Sequence, residues 1–424
     1  MHRADNGGAR FALLYIDLDN LRSVNDLYGH EAGDAVLRQA AARMAACFNG
    51  RHVVASRMAA DEFTLIVPGD CAAGISAAQR VIDALGRPFP VNGREAPLSC
   101  SIGVAAYPQH GARQRLVGNA MLAMRSVKTA GGSAFAEYDP RMGIAQREEA
   151  ELLQDLRLAT QRGQFELYYQ PKVDAASLQV TAAEALLRWH HPRRGLVSPD
   201  VFIPLAERHG LIGAIGDWVI TEACRQAGAW RENGLRMRVA VNISGYQLRQ
   251  DDLVSRIEAA LVLNRIPPSR FTCEITESVA MEDTQVTLQA FERLRRSGVH
   301  VSIDDFGTGH SSLAALRRLP AAELKIDRAF VSDLATSADA RSIVQAIVKM
   351  AHTLELHVVA EGVETAAQRD LLVEMGCDEL QGYLFAKPMT AQALLLWASD
   401  DDAPASAPGF RPSLFEETRP AALG

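Results

Sequence analysis

Glu184, Asn242, Glu274, Asp304 with Asp305, Lys325, Glu361 and Gln381 lie far apart in the chain, yet each falls at the end of an apolar, strand-like run. Taken singly, each acid reads equally well as a solvated strand end or a helix cap. As a set they read differently. If the strand ends converge, four or five carboxylates meet, and they repel one another unless cations neutralise them. Hard oxygen donors with one Asn suit Mg²⁺ or Mn²⁺ rather than zinc. Two such ions lower the pKa of a bridging water and stabilise both the attacking and the leaving oxygen of a phosphoryl displacement, which points to phosphodiester hydrolysis. Lys325 within such a cluster suits orienting or deprotonating the water, with a structural salt bridge as its plainer role. Arg188, two residues beyond Leu186, suits a fork onto phosphate.

Two further stretches carry polar groups. "DDFGTGHSSL" (304–313) follows the acidic pair with a glycine-containing turn, read either as a positioning loop or as a plain strand-to-helix connection. "RWHHPRRG" (188–195) holds His190 and His191, which diverge on a strand and find no third ligand, so they read as a surface loop. A separate stretch, "ASRMAADEFTLIV" (55–67), sets Asp61 and Glu62 at a hairpin tip fit to hold a metal, with Ala59 and Ala60 where a tight turn favours glycine.

The elements that would position these groups fall into two parts. Residues 11–138 predict strand 11–18, helix 33–47, strands 51–58 and 62–68, helix 74–86, a hairpin through "VNGREAP", helix 115–130 and a short strand at 134–138. That order suggests an α+β domain over residues 1–140. Residues 141–163 read as an amphipathic joint helix carrying Ile144, Leu152, Leu153, Leu156 and Leu158. From 150 to 398 the runs "FELYYQPKV", "QVTAAEALLRW", "RMRVAVNIS", "FTCEITES", "VHVSIDDF", "AELKID", "LHVVAEG" and "DELQGYLF" alternate mostly with helical segments, which fits an α/β (β/α)8-type barrel. The first two runs are nearly consecutive, which allows one antiparallel strand. Residues 399–424, rich in Pro, Ala and acid, predict a disordered tail.

Composition bounds the partners. The chain of 424 residues has room for two or three cores, and a formal charge of −7 gives no broad basic face for DNA or RNA. Six cysteines without metal-ligand spacing predict reduced thiols. No apolar stretch is long enough to span a bilayer and the start lacks a signal-peptide core, so a soluble, cytoplasmic protein is expected.

The motifs "EALLRW", "VNIS", "EITES", "DDFGTG", "LKID", "VVAEGVE" and "QGYLF" occur in that order between residues 150 and 395, and this part resembles the EAL domain, the cyclic di-GMP phosphodiesterase family. The resemblance implies cyclic di-GMP as substrate, linear pGpG as product and a two-metal site of Mg²⁺ or Mn²⁺. It implies Glu184, Asn242, Glu274 and Asp304 as ligands of the first metal and Asp305 of the second. It assigns Lys325 and Glu361 to water positioning and proton transfer, Glu277 to anchoring the "DDFGTG" loop, and Gln170, Arg188 and Gln381 to substrate or site lining. His310 stands where the family often has Tyr. Homodimerisation is an option for such barrels by resemblance alone.

Residues 11–138 resemble the GGDEF domain of diguanylate cyclases through "YIDLDNLRSVNDLYGHEAGD", "ADEF" and "SCSIGVA". The resemblance places Asp17 at a metal position, Asn25 and Asp34 at guanine positions and Lys128 on a phosphate. Ala59 and Ala60 replace the turn glycines, Gly132 stands where a basic residue is expected, and Gly50 and Val53 replace the product-inhibition motif. Only ten residues precede "FALLYID", so the family's leading helix and "DxLT" turn are not seen. Three readings follow for the chain: a phosphodiesterase with a non-cyclase GGDEF domain, a receptor that holds cyclic di-GMP without cutting it, and a bifunctional cyclase and phosphodiesterase. For the GGDEF part, two readings stay open. In one, GTP and a metal bound through Asp17, Asp61 and Glu62 change hydrolysis through the joint helix. In the other, the domain is nearly inert and serves dimerisation or solubility.

Overall fold

The computed structural model describes residues 10–48, 53–91, 93–282, 285–307 and 313–399. The chain forms two compact units divided between Glu151 and Leu152. Among the described residues no helix is long and apolar enough to cross a membrane, and all six cysteines are free thiols. Of the expected tail 399–424, Ser399 ends a helix (Ala391–Ser399), while residues 400–424, Gly50, Asn92 and residues 308–312 with His310 lie outside the described residues.

In the first unit β1 (Phe11–Asp19) is apolar but for Asp17 and Asp19 and is buried on both faces, as a central strand requires. It is followed by α1 (Leu21–Tyr28), α2 (His30–Ala46), β2 (Val54–Arg57), β3 (Glu62–Pro68), α3 (Cys71–Leu85), β4 (Phe89–Val91), β5 (Arg94–Ala96), β6 (Ser99–Tyr107), α4 (Arg113–Thr129) and β7 (Phe135–Glu137). The sheet order is β2-β3-β1-β6-β7, antiparallel except for the parallel β6–β7 pair. The expected hairpin through "VNGREAP" forms as a separate β4–β5 ribbon. One strand was not expected: "SCSIGVAAY" forms β6, beside β1 in the middle of the sheet. The eight-residue α1 was also not anticipated.

Helix α5 (Pro140–Ala159) covers most of the expected joint segment. Leu152, Leu156 and Ala159 belong to the core of the second unit, while Ile144 and Leu158 are exposed.

The second unit is a closed barrel of β8 (Phe165–Asp174), β9 (Val180–His191), β11 (Arg238–Asn242), β12 (Phe271–Thr276), β13 (His300–Phe306), β14 (Glu323–Ile326), β15 (His357–Ala360) and β16 (Glu379–Gln381), with short β10 (Gly195–Val197) and β17 (Met389–Thr390) pairing at β9 and β8. Pairing is parallel from β9 round to β16, and β8 closes the ring antiparallel to both neighbours. The expected single antiparallel strand is therefore β8. Helices between the strands pack their apolar faces on the ring, and the barrel core is one continuous cluster.

Candidate active site at the barrel mouth

Period two decides what the strands present to the barrel axis. In β14 Glu323 and Lys325 share the inward face, in β16 Glu379 and Gln381 do, and in β8 Gln170 and Lys172 do. The later residue of each parallel pair lies at the mouth. Because β8 runs the other way, its earlier residue, Gln170, lies there, directly across from Glu184 of β9.

Lys325 is the hub. Its side chain is 1% exposed, and Nζ lies 2.6 Å from Glu361 Oε1, 3.0 Å from Asp304 Oδ1, 3.3 Å from Glu274 Oε2 and 3.6 Å from Glu184 Oε2. Asn242 Nδ2 donates to Glu184 Oε1 at 2.8 Å, and Gln381 Nε2 donates to Glu184 Oε2 at 2.7 Å and to Gln170 Oε1 at 3.1 Å. Gln170 Nε2 in turn donates to the Ala386 carbonyl. Glu184, Asn242, Glu274, Asp304, Lys325, Glu361, Gln170 and Gln381 are thus gathered at one mouth.

The adjacent Asp304 and Asp305 need a local device to join them there. Consecutive residues of a regular strand face opposite ways, but β13 shifts register against β14 between Ile303 and Phe306. Asp305 takes a left-handed φ of 54°, and its N–H donates to Asp304 Oδ1 at 2.9 Å. Carboxylate oxygens of Asp304, Asp305 and Glu361 consequently lie within 4.8 Å of one another, close enough for one ion.

The electrostatics follow from burial against attraction. Lys325 is held well above its ordinary value: burial opposes its charge, but the surrounding carboxylates outweigh burial. Burial pushes Glu361 up to about 8 against the pull of Lys325, and pushes Asp305 up to about 6 with Asp304 adding to it. Burial also raises Glu274, with Glu184 beside it, whereas at Glu184 the attraction of Lys325 and Lys172 overcomes burial and the carboxyl titrates low.

The donor set fits a hard divalent cation. The ligating atoms are oxygens, and buried Glu274 Oε2 has no hydrogen-bond donor, only the ion-pair contact with Lys325. Glu277, 1% exposed, accepts from the Gly307 N–H through Oε2 at 2.6 Å, directly before residues 308–312. Arg188 stands apart from the hub. Its guanidinium lies over the Tyr168 ring and donates to the Leu187 carbonyl, and with Asn242, Leu186, Pro199 and Ile203 it lines a cleft of about 400 Å³.

One expectation fails here. His191 is not in a surface loop: it ends β9, is buried, pairs through Nε2 with Asp155 Oδ2 at 3.0 Å, and accepts through Nδ1 from the Arg193 and Arg194 amides. The tertiary partner on α5 outweighs the loop character of "HHPRRG". His190 does lie exposed, beside Glu166.

A second set of charges was not anticipated. Below the mouth, Lys172 Nζ bridges Glu274 Oε1 and Glu323 Oε1, while Arg238 pairs with Glu323 and Glu379. The period-two pairs in "ELK" and "ELQ" were the available signal.

In the first unit, Asp17 of β1 sits opposite Glu62 of β3 in register. Lys128 Nζ lies 2.5 Å from Asp17 Oδ1, and Glu62 Oε2 accepts from Tyr15 at 2.8 Å. Asp61 lies at the bend before β3, and its carbonyl accepts from the Leu18 N–H. The Asn25 amide lies over Gly33, where any Cβ would strike it, and Asp34 follows Gly33 on α2. Asp19, not anticipated, accepts from Ser99 Oγ, Ser101 Oγ and the Ser133 N–H. The turn at Ala59 and Ala60 takes no left-handed φ, and the Arg57 side chain donates to both of their carbonyls. Alanine therefore forms this turn without backbone strain, and what it adds is two exposed Cβ groups. Cys71, His110 and Glu137 also cluster. His110 Nδ1 accepts from the Ala106 N–H, so Nε2 carries the ring proton and faces Glu137 as a donor, not as a metal ligand.

Comparison with known proteins agrees with both halves. Residues 153–388 match the EAL domain model, and residues 1–134 match the model described as diguanylate cyclase, GGDEF domain. The bifunctional diguanylate cyclase/cyclic di-GMP phosphodiesterase MucR of Pseudomonas aeruginosa is 44% identical over 392 residues, 91% of this chain and 57% of the relative. The cyclic di-GMP phosphodiesterase PdeR of Escherichia coli is 37% identical over 399 residues, 94% of this chain and 60% of the relative. The chain thus spans about three-fifths of these relatives' length. A solved structure of the PaMucR phosphodiesterase in complex with c-di-GMP is 50% identical, with a TM-score of 0.56, covering 57% of this chain and 99% of that one. With the barrel, the strand-end acids and the family model in agreement, the chain belongs to the EAL-domain family and carries a GGDEF domain ahead of its barrel.

Proposed function

We propose that the chain hydrolyses cyclic di-GMP to linear pGpG with two divalent cations, Mg²⁺ or Mn²⁺, and that its GGDEF domain does not synthesise the dinucleotide. The observation that carries this is the buried mouth, where Lys325 stands among Glu184, Glu274, Asp304 and Glu361. Glu184, Asn242, Glu274 and Asp304 would hold one ion, and Asp305, beside Asp304, would contribute to the second. Such ions, when bound, activate a water and stabilise charge on the attacking and leaving oxygens.

The chain's own groups do the rest. Lys325 Nζ directs its N–H donors into the carboxylate ring and orients the water there, and Glu361 Oε1, 2.6 Å away, takes its proton. Water adds to one phosphorus, one P–O3′ bond breaks, and the leaving oxygen is protonated, giving a linear dinucleotide with a 5′-phosphate. Arg188 in its cleft forks onto a phosphate, Gln170 and Gln381 hold Glu184 in place at the edge of the substrate site, and Glu277 fixes the backbone at Gly307. The relatives' names support cyclic di-GMP as the substrate.

The test is incubation of the purified chain with cyclic di-GMP and Mg²⁺ or Mn²⁺, with products separated chromatographically. Appearance of pGpG, lost in E184Q, is expected. Tight binding with no pGpG would replace the enzyme by a receptor. The bifunctional name of MucR favours one further reading, that this chain also makes cyclic di-GMP. Ala59 and Ala60 weigh against it, because their Cβ groups stand where close approach of a triphosphate needs bare backbone. GTP binding through Asp17, Glu62 and Lys128 as a regulator of hydrolysis, homodimerisation and a reducing cytoplasmic setting complete the proposal. The six free thiols support the last of these.

A further inference from the structure

Glu274 gives its two oxygens to different neighbours. Oε1 accepts from Lys172 Nζ at 2.7 Å, while Oε2 turns to the mouth, 3.3 Å from Lys325 Nζ and without a hydrogen-bond donor. Lys172 is 1% exposed, and its other partner is Glu323 Oε1 at 3.0 Å. Glu323 is shared with Arg238, which reaches on to Glu379 near the strand starts. A ladder of alternating charge thus runs from the barrel floor to the site and ends on one oxygen of Glu274.

Stability does not call for this ladder. Replacing a buried ion pair by apolar groups of similar volume is often neutral or stabilising. What an apolar residue cannot do is hold a carboxylate by one oxygen. The terminal torsion of a Glu is broad, so an untethered Glu274 would sample several orientations in the ring. We propose that Lys172 is a positioning residue for the metal centre, fixing Glu274 through Oε1 so that Oε2 alone faces the space shared with Glu184 and Asp304. This inference rests on the metal-dependent reading above. Groups of this kind behind metal ligands are typically worth 10- to 100-fold in metal affinity.

The test titrates Mn²⁺ into the full chain without substrate and follows binding by electron paramagnetic resonance, scoring the Mn²⁺ whose binding is lost in E184Q. Removing Lys172 alone would leave Glu274 and Glu323 buried face to face, so the main variant is the charge-balanced K172M/E323Q. K172R, whose bulkier fork cannot occupy the same slot without displacing Glu274, is the second. E379Q breaks the lower rung and controls for general loosening of the barrel. Affinity is expected to fall about 10- to 100-fold in K172M/E323Q and about tenfold in K172R, and to stay within about threefold in E379Q. The Mn²⁺ concentration for half-maximal hydrolysis should move by the same factors, with kcat recovered at saturating Mn²⁺. Wild-type affinity in either folded Lys172 variant, or an equal loss in E379Q, overturns the inference while leaving the proposed activity standing. A wild-type chain that binds no such Mn²⁺ overturns both.

Discussion

At the residue scale the decisive group is Lys325, among the described residues the one cation facing Glu184, Glu274, Asp304 and Glu361 together. It serves two ends, orienting water in the proposed reaction and balancing the carboxylates. These separate in K325M. Loss of a proton-handling group should lower kcat about 10²- to 10⁴-fold at saturating Mn²⁺. The uncompensated carboxylates should also destabilise the metal-free barrel by about 3–5 kcal/mol. Melting curves in EDTA and in Mn²⁺ read the second effect: the deficit of K325M should shrink in Mn²⁺, and a deficit unchanged by the ion would mean that no cation enters the ring. The mouth residues were legible in the sequence because each ends an apolar run, so a single polar letter stood out. Lys172 and Glu323 were not, since their partners Glu274 and Arg238 come from strands distant in sequence, and His191 was misread for the same reason, its partner being Asp155.

At the element scale the bulge in β13 does what the doublet of letters at 304 and 305 could not announce. Two adjacent acids reach one site only because Asp305 leaves the strand conformation, at φ 54°. The left-handed region is open to glycine and disfavoured for alanine by roughly 1 kcal/mol. D305G and D305A should therefore lose hydrolysis alike, while D305G is more stable than D305A by about that amount in urea unfolding. Equal stability of the two would show that the bulge is not under backbone strain. Elements of the first unit were less legible for a related reason. In "SCSIGVAAY" small residues replace the bulky β-branched letters that mark a strand, because α4 packs directly against β6. A Cβ on Gly103 would lie 1.8 Å from the Ala120 carbonyl oxygen, so close packing and weak strand propensity are the same fact. In α1 the apolar Leu21, Val24 and Tyr28 do fall at helical spacing, but two turns are too short a run to mark a helix on their own.

At the scale of the whole molecule the two units can be read separately, because all four tryptophans, Trp189, Trp218, Trp230 and Trp397, belong to the barrel unit. Tryptophan fluorescence therefore follows the barrel's response to pH. Glu323 is buried, yet the attraction of Lys172 and Arg238 overcomes burial and holds it at about 2, below its unfolded value near 4.5. Its contribution, about 3 kcal/mol, is present above pH 4.5 and is lost as pH falls toward 2. Glu361, raised to about 8, acts in the opposite sense: the folded state takes up a proton between pH 8 and 4.5, so metal-free stability should rise as pH falls through that window. Urea midpoints in EDTA should peak near pH 5, and a monotonic profile would remove the assigned opposition between mouth and floor. For the first unit the matter is whether it makes the substrate of the second. Asp17, Glu62 and Lys128 are assembled as a metal and phosphate site would need, so under the proposed non-cyclase reading the exposed Ala59 and Ala60 methyl groups and the absent basic residue at Gly132 are what would deny catalysis. Gly132 has φ of +78° and its Cβ position lies 3.2 Å from Asp19 Oδ2, so a basic side chain there would be strained as well as missing. The measurement is made on E184Q, in which any dinucleotide formed would survive. With GTP and Mg²⁺ or Mn²⁺ this variant is expected to yield no cyclic di-GMP, even after A59G/A60G, because the glycines restore approach of the triphosphate but not the cation that would hold it. Cyclic di-GMP from E184Q itself would make the chain bifunctional, and cyclic di-GMP only after A59G/A60G would assign the block to the two methyl groups alone.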